Sequence, residues 1–327
     1  MTAFIRREWY TLAIFGMLLP AAILPVQGDA AAIFSVLTKI AVMLLFFLHG
    51  ARLSRDVVIA GMTHWRLHLF VLATTFVIFP ILGLIIIAVP GLTTAALGTG
   101  ILFLCVLPST VQSSIAFTSI AGGNVPAAIC SATASNILGM FLTPLLVGLL
   151  FKTQGGGVSL DAVQSIVLQL LAPFILGQIL QPFIGKWVAR HRALTLTVDR
   201  GSILMVVYAA FSEATITGLW YRLSASDLVA IIVIDVVLLI AVLCFTYYGS
   251  GWLGFKREDQ IAVTFCGSKK SLASGAPMAN VIFAGQNVGS IILPLMIFHQ
   301  IQLMVCAILA RRFAADWERP NATLAKR

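Results

Sequence analysis

The sequence predicts an all-α polytopic membrane protein of ten transmembrane helices, arranged as two inverted five-helix repeats. Three observations predict it. The chain is 60% hydrophobic and only 10% charged, whereas a soluble globular chain carries about 25% charged residues. Apolar runs of about 20 residues, the length a bilayer core demands, recur along the whole chain. Related short segments also stand at matching places in its two halves.

The first run, 9–26, follows the basic start "MTAFIRREWY" and is long enough to remain as a span rather than be removed as a signal peptide. Runs at 32–48, 66–89, 94–121 and 125–151 complete the first half. After "KTQGGGVS" come 160–183, 198–213, 227–248, 259–284 and 288–312. The segments "GARLSRDVVIAGMTHW" and "GKWVARHRALTLT" mix basic and apolar residues and read as interfacial amphipathic stretches. The organisation expected is an N-terminal repeat over 1–152, a linker at 153–159, a C-terminal repeat over 160–312 and a cytoplasmic tail at 313–327.

Charge sets the orientation. Of the 21 Lys and Arg, sixteen fall in segments on the side of the N-terminus, and only Lys152 and Arg222 on the other. Both termini are therefore expected in the cytoplasm, with the chain in the plasma (cytoplasmic) membrane. The net charge of +9 lies in these short gaps, so it reads as a topology signal and excludes a nucleic-acid partner. Five cysteines sit singly in apolar runs, without pairing or metal spacing. No His-Glu-x-x-His or Gly-x-Ser-x-Gly occurs, and "CGSKKS" lacks the leading glycine of a phosphate loop, so no enzyme is expected.

"AGGNVPAAI" (Ala121 to Ile129) matches "AGQNVGSII" (Ala284 to Ile292), each between the fourth and fifth run of its half. "LAIFGMLLP" and "LAPFILGQILQP" share a pattern in the first runs. Five spans is an odd number, so a repeat of five enters the membrane inverted, which is a transporter signature. The fourth run of each half is the polar one. In the first half Pro108 removes a backbone donor, and Ser109, Thr110, Gln112, Ser113 and Ser114 follow. In the second half Gly267, Ser268, Lys269, Lys270, Ser271, Ser274 and Gly275 interrupt the run. Matching mid-span polar clusters point to broken helices and a binding site. The competing reading of the Ser and Gly residues is close helix packing, which does not call for two ammonium groups.

A lysine at the bilayer centre costs about 2.5–3.5 kcal/mol. Lys269 and Lys270 lie about ten residues into their run, and consecutive helical residues point about 100° apart. One can therefore face the site and the other a partner, for which Asp235 or Glu213 is the candidate. Asp235 can equally be a carboxylic acid kept neutral by burial. Lys39 stands near the end of a run and is expected to snorkel. His299, Gln300 and Gln302 either line a cavity or form interhelical hydrogen bonds.

The motifs "PSTVQSSI", "AGGNVPAAI", "FLTPLL" and "GSKKSLASG" resemble the bile acid:sodium symporter family along nearly the whole chain, and in particular the branch called sodium/bile acid cotransporter 7. The resemblance implies two inverted repeats in which broken fourth and ninth helices cross. It also implies where this chain departs. Sodium-coupled members carry Gly-Gly-x-x-Ser-Asn after the fourth-helix proline; Ser113 keeps the serine and Ser114 replaces the asparagine. Their fifth-helix Ser and Thr correspond to Ala128 and Ala132, beside Ser131 and Thr133. Their ninth-helix Glu-x-Gly-x-Gln-Asn-Ser-Gly has Thr264 for the glutamate and Ser268 for the glutamine, with Lys269 and Lys270 on the Asn-Ser.

The resulting expectation is a secondary active, symporter-like transporter of a small organic anion working by alternating access. Its substrate and ion site is Ser113, Ser114, Thr264, Ser268, Lys269 and Lys270, supported by Thr75, Pro108, Gln112, Asn124, Ser131, Asn136, Asp235, Asn287 and His299. Ser113, Ser114, Thr264 and Ser268 are vestigial sodium positions. No cofactor is expected; sodium stays open as a coupling ion, with the lost carboxylate arguing against it. The lipid bilayer is the other partner, and no obligate protein partner is evident. The alternative is a non-transporting membrane regulator of ion homeostasis with a vestigial site.

Overall fold

The computed structural model describes residues 13–14, 16–52, 64–151, 167–218, 221, 224–284 and 286–324. The start of the first expected span at Trp9, the linker 153–159, the start of the sixth at Leu160 and Gly285 of the second Ala-Gly-x-Asn-Val lie outside them. Among the described residues all regular structure is helical. In chain order the helices are α1 (Leu18–Ile23), α2 (Gly28–Arg52), α3 (Trp65–Ile87), α4 (Ala95–Val106), α5 (Gln112–Ile120) and α6 (Val125–Leu150). Then come α7 (Ala172–Arg190, entered through a π turn at Val167–Leu171), α8 (Arg192–Ile216), α9 (Ala225–Trp252), α10 (Arg257–Gly267), α11 (Leu272–Ile282) and α12 (Val288–Leu324). Seven of them, α2, α3, α6, α7, α8, α9 and α12, are long and apolar enough to cross a membrane.

The long helices differ from the short ones in what they bury. Leu37, Ile40, Val233, Val237 and Ile240 stand exposed on α2 and α9, as side chains that face lipid do. The stretches 100–110 and 261–272 are buried throughout. A short helix covered on every side belongs to the interior, and both of these stretches end at a break. The fourth expected span is two helices, α4 and α5, separated by residues 107–111, and the ninth is α10 and α11, separated by residues 268–271.

The basic stretch "GKWVARHRALTLT" is not a separate interfacial segment. Helix α7 runs on to Arg190 and α8 begins at Arg192, so His191 alone joins them. Just past this stretch, Asp199 ties α8 to α2. Arg52 Nη1 donates to Asp199 Oδ2 at 2.7 Å, and His49 Nε2 lies 4.0 Å from Asp199 Oδ1.

The chain forms two compact units, each drawn from both halves of the sequence. One comprises Met1–Arg55, Pro144–Leu228 and Ala273–Leu293; the other comprises Asp56–Thr143, Val229–Leu272 and Pro294–Arg327. In the first unit α2 and α7 approach backbone to backbone. Gly50 faces the carbonyl of Phe174 and Gly177 faces that of Phe47, so close that a Cβ on either glycine would overlap it. Such small-residue contacts are how membrane helices pack without a hydrophobic driving force. The second unit contains both breaks. Its apolar core gathers Leu67 and Val71 of α3, Ala128 and Ala132 of α6, and Ala262, Val263 and Cys266 of α10.

Candidate functional site

A helix that stops inside a protein leaves its last carbonyls without intrahelical donors, and buried carbonyls must find partners elsewhere. In the second unit the end of α4 is completed by four different groups. Leu104 O accepts from Leu107 N at 3.3 Å in a tightened last turn. Cys105 O accepts from Lys270 Nζ at 2.8 Å. Val106 O accepts from the Thr143 hydroxyl at 2.8 Å. Leu107 O accepts from Lys270 Nζ at 2.7 Å, and Pro108 O from Ser271 N at 2.9 Å. The end of α10 is completed from the other break in return. Ser109 Oγ donates to Cys266 O at 2.6 Å, and Ser114 Oγ donates to Phe265 O at 3.0 Å. Each interrupted helix thus supplies the caps of the other.

The third hydrogen bond of Lys270 goes to α3, for a reason written in the local sequence. Residues Thr74–Ile78 form a π turn, in which Phe79 N–H bonds Thr74 O instead of Thr75 O. The next donor in that register belongs to Pro80, which has none. Thr75 O is therefore orphaned, and Lys270 Nζ reaches it at 2.9 Å. An ammonium has three donors, and here all three are used. The Phe79 ring centroid lies 4.0 Å away. The backbone of Lys270, outside any helix, is read by Gln302. Its Oε1 accepts from Lys270 N and its Nε2 donates to Lys270 O, both at 2.9 Å. Gln302 Nε2 also donates to His299 Nδ1 at 2.8 Å.

Lys269 has the opposite surroundings. It is equally buried, yet among the described residues its Nζ has no hydrogen-bond partner. The ammonium lies 3.9 Å from the ring centroid of Phe117 and 5.5 Å from that of Phe265. A desolvated cation over an aromatic face gains about 2 kcal/mol, less than the hydrogen bonds that Lys270 collects.

The carboxylate expected to neutralise a lysine does not do so. Asp235 is buried on α9, but the ion pairs among the described residues are those of Asp199, and neither Asp235 nor Glu213 reaches a lysine. Carbonyl dipoles at a helix C-terminus, where cations are favoured, take that role for Lys270.

The remaining expected residues divide by distance from the breaks. Ser113 meets Thr110 hydroxyl to hydroxyl at 2.7 Å. Thr264 and Ser268 turn their hydroxyls back onto their own chain, to Gln260 O at 2.7 Å and Thr264 O at 2.6 Å. Pro108 is buried against Gly139, while Gln112 is exposed at the start of α5. Asn124 caps α6, with Oδ1 accepting from Ala127 N at 3.0 Å. It also ties α6 to α10 through Asp259 Oδ1 at 2.7 Å. Ser131 pairs with His68 at 2.7 Å, away from the breaks, and Asn136 is half-buried on α6. Asn287 belongs to the other unit, where its Nδ2 donates to Thr217 Oγ1 at 3.2 Å. The fifth-helix serine that does serve the break is Ser135, whose Oγ accepts from Ser109 N at 3.1 Å. Ser135, Thr143 and Pro80 were not singled out from the sequence. Pro80 carried a usable signal, a proline inside an apolar run.

The profile of the SBF-like CPA transporter family matches residues 8–315. The chain is 55% identical to "Uncharacterized protein PA2026" of Pseudomonas aeruginosa, over 97% of this chain and 96% of that one. It is 51% identical to "Putative symporter YfeH" of Escherichia coli, over 96% and 95%. It is 31% identical to sodium/bile acid cotransporter 7-B of Xenopus laevis, over 93% and 91%. With seven helices among the described residues long and apolar enough to cross a membrane, this is an integral membrane protein of a transporter lineage and not an enzyme. The chain belongs to the SBF-like CPA transporter family, the bile acid:sodium symporter family that its motifs resemble.

Proposed function

We propose that the chain is a secondary active transporter of a small organic anion, working by alternating access, in which Lys269 provides the counter-charge for the substrate and Lys270 replaces a bound cation. One observation carries this reading. Two adjacent buried lysines sit where two broken helices meet, one with every donor used and one with none used. A cation that makes three hydrogen bonds to carbonyls joins helix ends, as a coordinated metal ion would. A buried ammonium without a partner is a costly feature, and an incoming carboxylate or other anionic group would relieve that cost.

The same geometry argues against the sodium scheme that the relatives' names suggest. Sodium requires converging oxygen ligands. The oxygens that converge at this break are Thr75 O, Cys105 O and Leu107 O, and they hold an ammonium. The hydroxyls of Ser114, Thr264 and Ser268 are directed at backbone carbonyls. This residue set does not fit a second cation while Lys270 is in place. The inverted-repeat reading with ten spans draws support from the two units, since each takes segments from both halves of the chain. The excess of basic residues on one side supports cytoplasmic termini in the cytoplasmic membrane.

The test is uptake into proteoliposomes across a panel of organic anions, with and without a sodium gradient. Saturable uptake that ignores sodium and is lost in Lys269→Met is the expected result. Uptake that requires sodium would overturn the replacement of the cation by Lys270. No flux of any anion by folded protein would leave the non-transporting regulator as the reading.

A further inference from the structure

Apart from the breaks, the second unit holds a cavity of about 450 Å³ between α9 and α12, within the range of roughly 300–1,000 Å³ usual for small-ligand sites. Its walls are apolar, with Ile240 on α9 and Val305 and Leu309 on α12. Its polar lining is Tyr247, Tyr248, Thr264 and Arg312, and Arg312 is its charged group. The two helices run in register here, because the Tyr247 ring stacks on Phe313 at 5.4 Å and 18°. Tyr247 and Arg312 therefore sit at one level, each seven residues, or about 10 Å of helix, beyond Ile240 and Val305. The cavity is an apolar slot with a cation and a phenol at one end. That end also carries Tyr248 and Trp252, exposed at 59% and 88%, together with Arg311. Tyrosine, tryptophan and arginine gathered toward one end of the span mark the headgroup region of a bilayer.

We propose that this slot binds one anionic phospholipid, with an acyl chain between α9 and α12 and the phosphate on Arg312. Charge complementarity selects the headgroup, since arginine forks onto phosphate oxygens, and the depth and apolarity of the walls select a chain rather than a free anion. The position has a consequence for the breaks. Thr264 of α10 lines the same cavity, so the chain rests against the helix that ends at Ser268, Lys269 and Lys270.

Native mass spectrometry of the full chain in detergent tests this, with phosphatidylglycerol, phosphatidylcholine and glycerol 3-phosphate as probes. Phosphatidylglycerol is expected to bind at least about five-fold more tightly than phosphatidylcholine, and Arg312→Gln to remove that preference. Cys244→Trp, which fills the slot from α9, and Leu309→Trp, which fills it from α12, are each expected to weaken phospholipid binding with Arg312 intact. Variants are read only where they run as a single monodisperse species, and the two filling variants act from different helices so that one failure to fold leaves the other. An unchanged lipid preference in Arg312→Gln overturns the proposal. So does lipid binding unchanged in a folded filling variant, or glycerol 3-phosphate competing as well as the intact lipid.

Discussion

Lys269 and Lys270 are neighbours in sequence and equally buried, yet they occupy two unlike regions of the second unit. Around Lys270 Nζ, three carbonyls from α3, α4 and the break after α4 converge, and a glutamine side chain holds the lysine backbone in place. Around Lys269 Nζ there are two phenylalanine rings and, among the described residues, no acceptor. The cost of burying an ammonium is similar at both places; only one region compensates it with hydrogen bonds to a charged donor, worth about 1.5–3 kcal/mol each. A charge that is fully compensated inside the fold is part of the architecture. The charge that is not compensated is the one that the transport proposal assigns to an incoming anion.

This contrast can be broken by measuring apparent unfolding temperature in detergent across four variants. Lys270→Met has the largest expected effect. It strands Thr75, Cys105 and Leu107 carbonyls in the interior, a loss of about 3–5 kcal/mol, seen as a collapse of the monodisperse fraction or the steepest fall in unfolding temperature. Wild-type melting in this variant would remove Lys270 from the architecture. Gly139→Ala comes next. Its new Cβ would lie 2.6 Å from Pro108 Cβ, and overpacking of this kind costs about 1–3 kcal/mol. Because it bears on the first break without touching either lysine, it separates the geometry of the break from its charge. Thr143→Val removes the donor to Val106 O and is expected to cost about 1 kcal/mol, a smaller fall in the same assay. Lys269→Met has the smallest expected effect on stability, near zero or slightly stabilising, because it replaces an uncompensated charge by an apolar chain of similar length. If Lys269→Met melted as far below wild type as Lys270→Met, the two regions would be alike.

Much of the fold was legible in particular residues. Pro108 followed by five polar residues, and Gly267-Ser268 followed by two lysines, marked both breaks, because a bilayer tolerates such groups only where backbone is freed and buried. Of the candidate site, Ser268 lies in the second break, Ser113 and Ser114 in the first turn after the first break, and Thr264 one turn before the second. What could not be read was which group satisfies which. Asp235 looked like the partner of a lysine because opposite charges attract, and the structure uses carbonyls instead. The shift of hydrogen-bond register that frees Thr75 O depends on a π turn whose alignment with Pro80 is invisible to a pattern of apolar residues. Ser135, not Ser131, serves the first break, although both lie in the same polar stretch of α6, four residues apart.

By itself the sequence determined that this chain lives in a membrane, that its fourth and ninth runs are interrupted, and that two ammonium groups lie deep within one of them. Each of these follows from composition along a single strand of residues. Only the tertiary structure decided that Lys270 closes the ends of other helices while Lys269 stays without a hydrogen-bond partner among the described residues. The physical reason is that a hydrogen bond depends on where carbonyls more than a hundred residues away come to rest, and two adjacent identical side chains carry no local difference that could foretell it.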